Sequence, residues 1–370
     1  MYVLFSFIQN LFSRLKARKF LKIGSGINES VGDSLLKLKQ MKTILNKLIN
    51  HDILSKEDAK QVLVNIAKGT YNNSQIAAFL TVYMMRSITI EELEGFRDAL
   101  LELCLAIDLS EYNPIDLCGT GGDGKDTFNI STLASFVTAG AGIKVTKHGN
   151  YGVSSTCGSS NVMEFLGVKF SNDPDFLRKS IDEAGICVLH APLFHPAMKN
   201  VAPIRRELAV KTFFNMLGPM VNPAFPKNQI VGVFNLELAR MYGYLYQNTD
   251  KKYTVLHALD GYDEISLTGS TKTISNNTEA ILNPSDFGVA VVKENEITGG
   301  DSIDKSAQIF MNILQGRGTE AQNNVVCANA GIALATVLDI SPKQGFEKAK
   351  ESLLNGNGLN ALRKLQQLSA

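Results

Sequence analysis

Residues 119–132 read Gly-Thr-Gly-Gly-Asp-Gly-Lys-Asp-Thr-Phe-Asn-Ile-Ser-Thr, a glycine-dense loop set between an apolar run at 115–118 and a helical pattern that opens near Ser131. Glycine lets a backbone turn sharply and approach an anion closely, and a helix opening behind such a loop presents unpaired N–H groups at the positive end of its dipole. The chain is thereby directed to a fold that ends a strand against a phosphate-holding loop. The loop matches neither the dinucleotide fingerprint nor the nucleoside-triphosphate loop, because the G-x-G-x-x-G spacing and the closing Gly-Lys-Ser/Thr are missing. Asp123 and Asp126 stand among the glycines. A carboxylate there suits ribose hydroxyls or metal-bound water, so a phosphorylated sugar fits better than a bare phosphate.

The rest of the chain supplies the context for that loop. After Asn113-Pro114, short β-branched runs alternate with helical segments: 115–118, 143–147, 186–190, 230–234, 253–258 and 288–292. Such alternation predicts an α/β layer with a mostly parallel central sheet, in which ligands bind beyond the carboxyl ends of the strands. Polar clusters sit at those ends: the glycine loop after the first run, Lys147-His148-Gly149-Asn150 after the second, His195 after the third, and Asp263-Glu264 after the fifth. The stretch 276–284 is turn-rich and reads as a surface excursion.

From Met41 to about Cys104 the pattern predicts four short helices. Ser55 with Asp58 and Thr89 with Glu92 have the spacing of capping boxes, and Gly69 closes a helical run over 56–68. The fold expected is therefore a small all-helical domain over 41–112, joined by a helical segment near 205–222, plus a larger α/β domain over 113–370. Ile76, Phe79, Leu80, Tyr83 and Met84 exceed one thin apolar stripe, which points to packing on another domain or subunit. Residues 1–40 differ: an apolar start followed by Arg14, Lys16, Arg18, Lys19 and Lys22. That order is wrong for a secretory signal and the run is too short for a bilayer span, so the segment reads as a disordered or mis-started extension, with an amphipathic surface segment as the alternative.

Composition narrows the functional classes. With 45% apolar residues there is ample core, and 37 basic against 36 acidic side chains give no global signal for nucleic acid. The five cysteines at 104, 118, 157, 187 and 327 form no C-x-x-C pair, which disfavours zinc and disulfides and favours a reducing, cytoplasmic setting. Lys147 would neutralise a phosphate as a point charge, and Ser154, Ser155, Gly158 and Ser159 supply a second group of small donors. Adjacent carboxylates at Asp263-Glu264 suit Mg²⁺, although most such loop pairs are simply solvated. Arg205 and Arg206 offer a fork for a carboxylate substrate; which of them points inward is open at this level.

Together, the segments 119–132, 147–150, 154–159, 195–208, 214–223 and 260–269 resemble the anthranilate phosphoribosyltransferase family of tryptophan biosynthesis, over the chain from Met41 onward. The resemblance implies transfer of the 5-phosphoribosyl group of phosphoribosyl pyrophosphate to the amine of anthranilate. By motif, it implies phosphoribosyl pyrophosphate contacts from Gly119, Gly122, Asp123, Thr127, Asn129, Ser131, Thr132, Lys147 and Ser159. His148, Gly149 and Asn150 would belong to the same substrate site. It further implies two Mg²⁺ ions per subunit held by Ser131, Asp263 and Glu264, and anthranilate bound by Asn150 and Arg205 with His148 and His195 near the acceptor. No residue is marked as a certain catalytic group. A homodimer through the helical domain, with no nucleic-acid or membrane partner, is also implied. The chain departs from the family at Tyr151-Gly152, where arginine and alanine are frequent, and at Ser160-Asn161, where alanine and aspartate are. The glycine loop alone also admits a pyrimidine nucleoside phosphorylase, and the fold admits a non-catalytic nucleic-acid-binding relative. Asp263-Glu264 and the Arg205 segment favour the transferase.

Overall fold

A computed structural model describes residues 40–152 and 157–369. The extension expected over 1–40 and the donors Ser154 and Ser155 lie outside the described residues, apart from residue 40 itself. Four helices open the chain: α1 (40–49), α2 (Lys56–Ala67), α3 (Asn73–Met85) and α4 (Ile90–Leu103). Ser55 caps α2 by accepting from Asp58 N, and Thr89 with Glu92 forms a reciprocal capping box on α4. Asn72 with Gln75 forms another on α3.

Glu92 does more than cap its helix. Its buried carboxylate accepts from Leu54 N at 3.0 Å, Tyr83 Oη at 2.9 Å and Thr89 N at 3.0 Å, and pairs with Arg86. The loop before α2, the end of α3 and the start of α4 are thus tied to one side chain. Of the apolar residues that exceed a single stripe on α3, Ile76, Phe79, Leu80 and Tyr83 are buried within the chain, whereas Met84 and Met85 are 44% and 80% exposed.

The α/β layer is a seven-stranded sheet of order β3-β2-β1-β4-β5-β6-β7, built from β1 (Ile115–Gly119), β2 (Val145–Gly149), β3 (Ile186–His190), β4 (Asn228–Gly232), β5 (Lys252–Ala258), β6 (Thr271–Ser275) and β7 (Glu279–Leu282). Strands β1 to β5 pair in parallel, while β6 and β7 add antiparallel to the β5 edge. Two expectations fail here. The run at 288–292 is not a strand, and the supposed excursion at 276–284 contains β7, because the last two strands form a half-exposed hairpin that lacks a continuous apolar run.

Two cores meet across the central strands. Leu117 of β1 and Ile230 of β4 join the core beneath helix α5 (Ile130–Gly140) and the helix Glu320–Leu338, whereas Cys118 and Val231 join the core of α1 to α4. That second core also takes in Val201, Ile204, Phe213, Phe214, Leu217, Met220 and Val221. The helical segment between β3 and β4 therefore packs with the N-terminal helices.

Replacing Glu92 by alanine strands several buried donors and a buried arginine. Glu92→Ala is expected to lower the unfolding free energy by about 3–5 kcal/mol in urea titration. A loss below about 1 kcal/mol would mean that those donors find other acceptors.

Candidate active site

The chain runs from β1 to β2 to β3 on one side of the sheet, then crosses to β4 on the other side of β1. The gap beyond the carboxyl ends of β1 and β4 is thus the topological switch point, where α/β sheets receive ligands. The glycine loop leaves β1 at this point. Gly121, Gly122 and Gly124 all have positive φ, of 64°, 78° and 76°, a region that side chains with a Cβ rarely enter. Behind the loop, α5 begins at Ile130 and its N-cap Asn129 makes no side-chain cap. Asn129 donates instead to Cys157 O at 2.9 Å, linking the loop to the segment that follows β2.

Asp263 and Glu264 reach this loop from beyond β5. Asp263 Oδ2 accepts from Gly121 N at 2.6 Å, and Glu264 Oε1 accepts from Ser131 N at 2.9 Å in the first turn of α5. The approach depends on missing side chains. A Cβ at Gly119 would stand 2.4 Å from Asp263 Oδ2, and one at Gly232, the last residue of β4, only 1.5 Å from Asp263 O. Asn329 fixes the turn from below, accepting from Ile265 N at 3.0 Å and donating to Ile265 O at 2.8 Å. Burial, with the neighbouring charge of Asp123, pushes the Asp263 carboxyl up to about 7. Burial and the charges of Asp263 and Asp123 push that of Glu264 up as well.

These carboxylates test the fit of a cation. Two buried carboxyls pushed up beside the charge of Asp123 gain from a positive charge among them, and oxygen donors of this kind suit Mg²⁺. No group of three or more acidic, histidine or cysteine side chains among the described residues forms a ready cage. A cavity of about 10 Å³ at the base of the loop is lined by Ser131, Gly232, Asp263, Glu264 and Asn329 among others. Two wider concavities, of about 670 and 680 Å³, lie elsewhere, one against β6 and β7 and one beside Gly140.

At the end of β2 the side chains divide. Lys147 is buried and donates Nζ to Leu117 O at 2.6 Å, so in this arrangement its ammonium faces strand β1. Its charge opposes the effect of burial on Asp116, whose carboxyl is pushed up; Asp116 also accepts from His148 N at 3.3 Å and Gln229 Nε2 at 3.4 Å. His148 Nδ1 lies 3.2 Å from Gly218 O and His195 Nε2 lies 2.9 Å from Val221 O, with the two rings 5.3 Å apart. A carbonyl partner makes each of those nitrogens the N–H, and His148 Nε2 and His195 Nδ1 are buried without a partner. Burial holds both imidazoles neutral, at about 3 for His148, where His195 adds to the effect, and about 4 for His195.

The remaining expected residues fall around this frame. Asn150 is exposed, and its carbonyl accepts from Ser159 Oγ at 3.3 Å. Gly149 lies close under Ser159, whose Oγ would stand 2.6 Å from a Cβ placed there. Gly122 O accepts from Lys211, Thr127 bridges to Thr298, and Thr132 is buried within α5. Arg205 is half-buried and Arg206 exposed, which settles the inward choice for Arg205. Tyr151, at a departure from the family, donates its hydroxyl to Glu164 at 3.2 Å and sets its ring edge-on to His190. Asn161, at the other departure, accepts from Gly152 N and Gly158 N at 2.9 and 3.0 Å. Sequence reasoning missed Asp116, Asn329 and Lys211. Asp116 had a signal, a carboxylate inside an apolar strand; the other two had none.

A helical bundle joined to an α/β sheet with a glycine loop and paired carboxylates at its switch point defines the class, a phosphosugar-handling transferase. Residues 42–104 match the helical bundle domain of the glycosyl transferase family, and residues 111–359 match its α/β domain. The anthranilate phosphoribosyltransferase of Flavobacterium psychrophilum is 77% identical over 329 residues, covering 89% of this chain and all of that protein. Among solved structures, anthranilate phosphoribosyltransferase from Thermus thermophilus has a TM-score of 0.82 at 30% identity, covering 88% of this chain and 98% of that one. The Saccharomyces cerevisiae enzyme, in complex with phosphoribosyl pyrophosphate and magnesium, has a TM-score of 0.82 at 26% identity, covering 90% and 98%. The chain belongs to the anthranilate phosphoribosyltransferase family.

The two histidines carry a pH signature. Their folded values lie below the ordinary 6.5, so at these two groups the unfolded chain binds more protons between about pH 4 and 6.5, and their contribution to stability falls as the pH drops through that window, against the raised carboxyls of Asp116, Asp263 and Glu264, which act in the opposite sense. Each contributes a slope of up to about 1.4 kcal/mol per pH unit. Replacing both by glutamine is expected to lower the slope of unfolding free energy against pH between 4 and 6.5 by the histidines' share. An unchanged slope would show that neither imidazole is held neutral.

Proposed function

We infer that this chain transfers the 5-phosphoribosyl group of phosphoribosyl pyrophosphate to the amine of anthranilate, giving N-(5-phosphoribosyl)anthranilate and pyrophosphate, in tryptophan biosynthesis. The observation that carries the reading is the close packing of Asp263-Glu264 on the glycine loop at the switch point, in a chain 77% identical to a named enzyme of that activity.

The acceptor is an aromatic amine and a weak nucleophile, so the chemistry turns on letting pyrophosphate leave while positive charge grows on the ribose carbon. The amine nitrogen bonds to that carbon as its bond to the pyrophosphate oxygen breaks, and the nitrogen then sheds a proton to water or a neighbouring group. A strong base is not demanded. Gly119, Gly122, Asp123, Thr127, Asn129, Ser131, Thr132, Lys147 and Ser159 are proposed to hold the phosphoribosyl pyrophosphate, by loop N–H groups, hydroxyls and one cation. Ser131, Asp263 and Glu264 are the proposed magnesium ligands, with two ions per subunit as the finer proposal. Magnesium supplies neutralisation of the leaving group's charge when bound. His148, Gly149, Asn150, His195 and Arg205 are proposed to line the acceptor side, with Arg205 taking its carboxylate.

We propose two further properties of the chain. Exposed Ile49, Ile53, Met84 and Met85 in and beside the helices support a homodimer through the helical domain. Free thiols at all five cysteines support a reducing, cytoplasmic setting.

The test follows the loss of anthranilate fluorescence, which is expected only with both phosphoribosyl pyrophosphate and Mg²⁺ present. Glu264→Ala is expected to lower turnover by about a hundredfold or more. Turnover that persists without metal would sink the magnesium assignment, and phosphorolysis of uridine or thymidine in place of the fluorescence loss would move the chain to the nucleoside phosphorylases.

A further inference from the structure

Arg205 stands on the last turn of the helix Ala202–Leu208, which ends at Ala209 in the left-handed conformation. Among the described residues its guanidinium makes one side-chain hydrogen bond, to Asn215 Oδ1 at 3.3 Å, and no ion pair. Its Cζ lies 5.3 Å from the centre of the Phe214 ring. Asn215 Oδ1 is itself oriented by accepting from Thr212 N at 3.2 Å. A planar cation laid against an aromatic face and pinned at one nitrogen keeps its remaining N–H groups in a fixed fork. A half-buried guanidinium without a carboxylate is also short of an anion, which a ligand's carboxylate would supply.

Phe214 is held in turn from the helical unit. Its ring stacks on Phe213 at 4.6 Å, and Phe213 stacks on Phe96 at 4.5 Å. Tyr83 and Phe79 meet Phe213 edge-on at 5.3 and 6.1 Å. Tyr83 donates its hydroxyl to the buried Glu92. One continuous set of ring contacts therefore runs from the capping carboxylate of α4 to the face of Arg205.

We propose that Phe214 and Asn215 are positioning residues that set the Arg205 fork for the acceptor's carboxylate, with the Phe79, Tyr83, Phe96 and Phe213 rings of the second core as their mounting. The inference rests on the reading of Arg205 as the carboxylate-binding residue. Phe214 supplies the face and the stacking surface; Asn215 fixes rotation about the guanidinium. Neither touches the reacting atoms. Their removal weakens acceptor binding and leaves the phosphoribosyl pyrophosphate side as it was.

The full-length enzyme is compared with Arg205→Ala, Phe214→Leu, Phe214→Tyr, Asn215→Ala and the Arg205→Ala/Phe214→Leu pair. KM for anthranilate and for phosphoribosyl pyrophosphate is measured separately, with Tm as a check on folding. Phe214→Leu and Asn215→Ala are expected to raise KM for anthranilate about tenfold with the other KM within about twofold, and Phe214→Tyr to behave as wild type. On the Arg205→Ala background, Phe214→Leu is expected to add nothing, because the group it positions is gone. If Arg205→Ala leaves KM for anthranilate unchanged, the carboxylate reading of Arg205 fails and this inference with it. If Arg205→Ala raises that KM but Phe214→Leu and Asn215→Ala do not, or if the double variant shows the full extra loss, positioning alone is refuted. Should Phe214→Leu fail to fold, Asn215→Ala, which trims one small polar side chain, decides the matter by the same KM comparison.

Discussion

The close approach of Asp263 to the ends of β1 and β4 is the constraint on which the site depends. Asp263 O sits where a Cβ on Gly232 would be, and its carboxylate sits where a Cβ on Gly119 would be. At Gly232 backbone against backbone leaves no tolerance for a side chain, and at Gly119 the Asp263 carboxylate fills the space, so these two glycines answer to packing rather than to turn conformation. From that contact the rest follows. Gly121 N and Ser131 N receive Asp263 and Glu264, which draws the glycine loop and the start of α5 into one rigid group with the loop beyond β5. Asn329 closes the group from the helix beneath.

The two sides of the site rest on different cores. Leu117, Ile130, Tyr262 and Ile265, beside the glycine loop and the carboxylates, belong to the large α/β core. Ile204, Phe213 and Phe214, around Arg205, belong to the core of the N-terminal helices. The division occurs within single strands, since neighbouring residues of β1 and β4 face opposite sides of the sheet. On the proposed assignment of residues, the switch point is the line along which the phosphate-holding half and the acceptor half abut.

Much of this was legible in the sequence because its signals are local. The glycine loop, the helix caps at Ser55 and Thr89, and the five parallel strands all depend on short-range patterns of turn residues and apolar runs. The hairpin of β6 and β7 was not legible, since Thr271, Lys272, Thr273 and Glu279 give no apolar run, and the run at 288–292 is irregular backbone packed on the core. The direction of Lys147 was hidden for a different reason. Strand β2 is buried on both faces, so no alternation of polar and apolar residues says which way each side chain points. Residue-pair facts of long sequence separation, such as Asn329 under Ile265 or Lys211 on Gly122, leave no mark on the chain at all.

The electrostatic character of the two halves differs in a way that suits the proposed chemistry. The loop half gathers Asp123, Asp263 and Glu264, and burial with the neighbouring charges pushes the carboxyls of Asp263 and Glu264 up. The acceptor half holds one guanidinium and two imidazoles that burial keeps neutral. Charged imidazoles at that place would oppose positive charge growing on a ribose carbon nearby, and they would compete with Arg205 for a carboxylate. Neutral ones do neither, and each retains an unpartnered ring nitrogen able to accept a hydrogen bond. A weakly basic aromatic amine needs an acceptor for its N–H while it attacks, not a base strong enough to deprotonate it beforehand. On the proposed reading, the neutral state of His148 and His195 keeps added positive charge away from an aromatic amine that needs no strong base.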